Sequence, residues 1–111
     1  MSLIITMMRI PEGINTVMDY PTNHEPEPLG TRAEVISIIK ELFPDADASD
    51  PTWIIVPSYS STEIILGNDD PVYSIGLRSA SREMIQHIYQ RTGWRGLHPS
   101  TGQIVPPFSD D

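Results

Sequence analysis

The chain contains no cysteine, which excludes disulfides, thiolate nucleophiles and cysteine-ligated zinc at the outset. Cations are scarce as well: seven Lys and Arg stand against fifteen Asp and Glu, for a net charge of -8. With no basic cluster to oppose that charge, nucleic-acid phosphates would be repelled and no nucleic-acid partner is expected. A surface of this sign favours solubility, the plainer account of it, and also steers encounters with a basic protein. Long apolar runs are missing too. None approaches the roughly 18 residues of a membrane-spanning helix, so no membrane partner is expected. The apolar opening from Met1 to Met8 lacks the cationic n-region, long h-region and small-residue cleavage site of a secretory signal, and the cytoplasm is the expected compartment.

What is present is enough for one domain. A chain of 111 residues buries about 65% of its unfolded surface on folding, sufficient for a single modest core. Apolar residues make up 39% of it, and the 11 prolines and 7 glycines point to a loop-rich globule. Residues 1–30 are expected to form an N-terminal strand or extended arm, 31–106 an α+β core domain, and 107–111 a flexible tail.

Ile4 to Ile10 has strand-forming content and ends at a Pro11-Glu12-Gly13 turn signal. Between Pro11 and Gly30 only Ile14 to Tyr20 hints at a strand. Thr31 followed three residues later by Glu34 is a capping box, and Val35, Ile36, Ile38, Ile39, Leu42 and Phe43 then give one apolar face, predicting a helix from Arg32 to Phe43. Asp45 to Pro51 is expected to be a polar connection. Trp53 to Val56, Thr62 to Leu66 and Val72 to Arg78, joined by short turns, predict an antiparallel meander. Ser79 or Ser81 caps a second helix ending near Arg91, with Gly93 after it. Trp94 to Leu97 and Gln103 to Val105 flank a Pro99-to-Gly102 hairpin signal. The expected fold is therefore α+β: a two-layer sandwich of an antiparallel sheet, about four to six strands, with two helices on it.

Chemistry-bearing patterns are thin. Asp45, Asp47 and Asp50 lack the glycine and the closing glutamate of a calcium loop and are expected to form turns with their own backbone. His24, His87 and His98 have no metal-ligand spacing. Ser58, Ser60 and Ser61 lack a nucleophile elbow, and Gly67 stands without the further glycines of a phosphate loop. No catalytic set, metal site or cofactor is expected. Of the two tryptophans, Trp53 at a strand start is expected in the core, while Trp94, between Arg91 and Arg95, is an equal candidate for core or partner contact.

The segments Phe43-Pro44-Asp45-Ala46-Asp47, Asp50-Pro51-Thr52-Trp53, Glu63-Ile64-Ile65-Leu66-Gly67-Asn68-Asp69-Asp70-Pro71-Val72, Thr92-Gly93-Trp94-Arg95 and Ser100-Thr101-Gly102 resemble a group of small bacterial proteins to which no activity is attached. The resemblance implies one intact domain and transfers no site. Where the similar proteins carry an acidic residue shortly after the tryptophan, this chain has Gly96-Leu97-His98.

The function these observations favour is that of a non-catalytic acidic binding protein, such as an immunity or inhibitor protein capping a basic partner. A small-molecule or regulatory domain with a pocket between helices and sheet is the alternative, and an enzyme with a dispersed site is the third. Carboxylates on loops and outer helix faces are the candidate contacts, namely Glu34, Glu41, Asp69 and Asp70, together with Trp94.

Overall fold

A computed structural model of the chain describes residues 4–11, 13, 14, 16, 18 and 27–105. Its strands are β1 (Ile4–Met8), β2 (Asp47–Asp50), β3 (Trp53–Val56), β4 (Thr62–Ile65), β5 (Ser74–Arg78), β6 (Arg95–Leu97) and β7 (Ile104–Val105), and its helices are α1 (Arg32–Leu42) and α2 (Arg82–Thr92). All seven strands form one antiparallel sheet in the order β2-β3-β4-β5-β1-β6-β7. The α+β sandwich is as expected, with seven strands in place of the expected four to six.

The extra strand is β2. Its Asp-Ala-Ser-Asp sequence carries no β-branched or aromatic residue, and the segment is extended because β3 pairs with it along Asp47↔Ile55 and Asp50↔Trp53. Three steps on β2 oppose two on β3, so the edge strand holds a bulge. At the other end of the chain order, β1 is an inner strand, paired with β5 over its whole length and with β6 at Thr6, Met7 and Met8. Most of the expected strand from Ile14 to Tyr20 lies outside the described residues, although Thr16 forms an isolated bridge with Gln103.

Both helices start where expected. The Thr31 side chain accepts a hydrogen bond from the Glu34 amide while Glu34 Oε1 accepts one from the Thr31 amide at 2.9 Å, closing the capping box. Ser81 caps α2 through the Met84 amide, and Gly93 ends it at φ 80°, a left-handed position that suits a residue without Cβ. Val35, Ile39 and Leu42 of α1 and Met84, Ile85 and Ile88 of α2 form one core with the inner face of the sheet, made by Ile5, Met7, Ile54, Val56, Ile64, Ile75 and Leu77. Strand alternation does the sorting: the residues between these point to the opposite, outer face.

Gly96 is what lets β6 join β1. A Cβ built at this position would sit 2.5 Å from Ile5 Cγ2 and 2.9 Å from Met7 Sδ, inside the core. Gly96→Ala should therefore destabilise the fold by about 1–3 kcal/mol through overpacking, and Thr31→Ala by roughly 1 kcal/mol through loss of the cap. Denaturant melts measure both. Wild-type stability in Gly96→Ala would contradict the close approach of β6 to β1.

Candidate partner-binding surface

The carboxylates are fixed locally, each by a neighbour the sequence supplies. Asp47 Oδ1 accepts the Ser49 amide at 3.0 Å and the Ser49 hydroxyl at 2.5 Å. Asp50 Oδ1 likewise accepts the Thr52 amide at 2.9 Å and hydroxyl at 2.6 Å. These are the side-chain-to-backbone turns expected of aspartates in a polar connection. Asp45 reaches further, accepting the Ser58 amide and hydroxyl at 2.7 and 2.9 Å.

Arg32, the first residue of α1, joins two of the acidic loops. Its guanidinium donates to the Pro51 carbonyl and to the Asp69 carbonyl, each at 2.9 Å, and its amide donates to Asp70 Oδ1 at 3.1 Å. The turn between β2 and β3 and the loop between β4 and β5 are thereby held against the start of α1. Asp50, Asp69, Asp70 and Glu34 gather around that corner. A carboxylate at a helix N-terminus is favoured by the helix dipole, so Asp70 and Glu34 also stabilise α1.

Of the expected contact residues, Glu34, Asp69 and Asp70 are thus brought together and exposed. Glu41, also exposed, lies two helical turns from Glu34, about 10 Å along α1, and belongs to a different place. There it lines an open hollow of about 290 Å³ with Arg9, Ile38, Leu42, Arg91, Thr92 and Trp94. A second hollow of about 310 Å³ adjoins it and shares Arg9 and Thr92. Arg9 is anchored at their junction by the Pro28 and Leu29 carbonyls, at 2.8 and 3.3 Å.

Of the two tryptophans, Trp53 departs from expectation, and Trp94, an equal candidate for core or contact, falls in the core. Trp94 is 2% exposed and is part of the core, whereas Trp53 keeps 37% of its surface. Alternation along β3 puts Ile54 and Val56 on the inner face, which leaves Trp53 and Ile55 on the outer one. Four consecutive strong strand formers do not reveal which parity faces the helices. Trp53 is an exposed aromatic that the sequence reading placed in the core, and the strand register sets Asp50 opposite it.

His87 is half-buried, its Nε2 3.3 Å from the Leu42 carbonyl and its ring edge-on to Phe43, so it packs against the end of α1. His98 Nδ1 accepts the Ser100 amide at 3.3 Å within the last hairpin. His24 lies outside the described residues. Among the described residues no three His, Asp or Glu side chains converge as a metal site would require, and no helix is long and apolar enough to cross a membrane. Comparison with family models, curated proteins and solved structures finds no match to this chain.

The held carboxylates are also held ionised. The Ser58, Ser49 and Thr52 hydroxyls lower the pKa values of Asp45, Asp47 and Asp50 below the ordinary carboxylate range, and the Thr31 amide does the same for Glu34. A folded-state pKa below the unfolded one adds stability that is present above the unfolded value and is lost as the pH falls through the folded value. Stability should therefore decline with acidification from the ordinary carboxylate range downward. Carbon-detected NMR titration should find these four groups releasing protons below the ordinary values, and Ser58→Ala should move Asp45 back up. An Asp45 that titrates alike in wild type and Ser58→Ala would contradict the assigned cause.

Proposed function

We propose that the protein is a non-catalytic binding protein that engages a basic protein through its carboxylates, in the manner of an immunity or inhibitor protein. The observation that carries this reading is the corner at the start of α1, where Arg32 holds two acidic loops in place beside Glu34. The corner joins the two loops at one end of the β3–β4 pair, the turn before β3 and the loop after β4, so a partner meets fixed charges and little ordering is needed on binding. A net charge of -8 supplies the long-range field that brings a basic partner to it.

The second reading, a small-molecule domain, has the adjoining hollows at Arg9 in its favour, since two guanidiniums, the Thr92 side chain and an apolar floor of Leu42 and Trp94 meet there. They are open, and each is at the small end of the range for ligand pockets.

Charges at a binding rim act on encounter more than on residence. Converting Asp69 and Asp70 together to Asn should slow association with a partner captured from the source organism and flatten its salt dependence, while dissociation stays nearly unchanged. Asn at position 70 keeps the oxygen that accepts the Arg32 amide, so the corner itself is preserved. A captured partner that is acidic, or whose association rate ignores salt, would overturn the reading.

A further inference from the structure

The two faces of the sheet are unequal. The inner face is covered by both helices, whereas on the outer face Ile4, Trp53 and Ile55 retain 41%, 37% and 38% of their surface. Scattered apolar side chains are ordinary on a protein surface, but these are continuous. Trp53 and Ile55 share one side of β3, and Ile65 of β4 pairs directly with Trp53. Ile65 in turn pairs with Gly76 of β5, where a Cβ would be 3.7 Å from Ile65 Cβ and 3.2 Å from Ile4 Cγ2. Because position 76 has no side chain, Ile65 and Ile4 close over it and the apolar strip runs unbroken from β3 to β1.

Carboxylates border that strip. Glu63 pairs with Ile55 and accepts the Trp53 indole N–H at 3.1 Å, while its other oxygen is 3.7 Å from Arg78 Nε. This fixes the indole before any partner arrives. Asp47 and Asp50 on β2 stand opposite Ile55 and Trp53. Asp50 Oδ1 is occupied by Thr52, and Oδ2 has no partner among the described residues. A held indole beside a carboxylate with a vacant oxygen matches an arginine: the ring face takes the guanidinium plane and the carboxylate takes its N–H groups.

Strand addition at the neighbouring edge is disfavoured, because β2 is short and bulged and its Asp47 carboxylate already takes the Ser49 amide. The face, not the edge, is available. From the strip, its acidic border and the charge of the chain, we propose that the outer face of β3, β4, β5 and β1 is the docking surface for an arginine-bearing segment of a basic protein, with one guanidinium laid on Trp53 and bound to Asp50. This surface rests on the reading of a basic protein partner and locates it on the molecule.

The test uses the intact chain labelled with ¹⁵N and a hepta-arginine peptide as probe, at low salt, with hepta-lysine and hepta-glutamate peptides beside it. The chain has two tryptophans, so two indole N–H signals report the outer face and the core separately. Hepta-arginine should shift the Trp53 indole and the amides of β3 and β4 while leaving the Trp94 indole in place, and it should bind more tightly than hepta-lysine. Trp53→Ala should weaken binding about tenfold and Trp53→Phe by less, as loss of a cation–π contact requires. Asp50→Asn should weaken it as well. The wild-type shifts give an answer even if a variant folds poorly. Hepta-arginine shifts confined to the Asp69–Asp70 loop and α1 would overturn this surface and leave the acidic-binder reading standing. No binding of either cationic peptide, or equal binding of hepta-glutamate, would overturn both.

Discussion

Met7 lies between Ile75 on one side and Gly96 on the other, and the sheet is continuous only because nothing projects from position 96 into the space of Ile5 and Met7. That close approach joins the meander of β2 to β5 to the hairpin of β6 and β7 through one inner strand. The two helices of 11 residues each cover one face of this single sheet. The polarity of every strand follows from this, because each alternate residue must face the helices and each other one must not. Cover of the second face is partial and lies toward β6 and β7, where Arg95 donates to the Ile14 carbonyl at 2.8 Å and Ile104 is 2% exposed.

Trp53, Ile55 and Ile4 remain open at the other side of that face, bordered by Asp47, Asp50 and Glu63. At the separate corner by the start of α1, Arg32 fixes three points on two loops with one side chain and its own amide. The β2 aspartates are fixed independently, by Ser49 and Thr52. The result is an apolar strip with carboxylates of set position on its flank, of which Asp47 and Asp50 are held below the ordinary carboxylate range by the Ser49 and Thr52 hydroxyls. Such a surface combines steering, which acts before contact, with an aromatic anchor, which acts after it.

Much of this was legible in the sequence. The capping box at Thr31 and Glu34, the one-sided helix faces and the alternation of Ile75 and Leu77 with Ser74 and Gly76 each depend on local chemistry, and they predicted α1, β5 and the layering. Two things were not legible, for physical reasons. The strand β2 has no strand-forming residue of its own and exists through its pairing with β3. The side that Trp53 faces depends on parity, and a run of Trp-Ile-Ile-Val satisfies either parity equally until β4 fixes the register. Glu41 is a candidate contact from the outer helix face and Trp94 an even candidate from its arginine neighbours, and neither pattern says where the element sits. The fold sends both to the hollow at Arg9, some two helical turns from the corner that Glu34 shares with Asp70.

A crystal structure of the chain bound to hepta-arginine tests the central claim most directly. A guanidinium stacked within about 6 Å of the Trp53 ring centroid, and hydrogen-bonded to Asp50, is the predicted result. A peptide seated elsewhere, with the Trp53 ring left bare and the outer face empty, would contradict it.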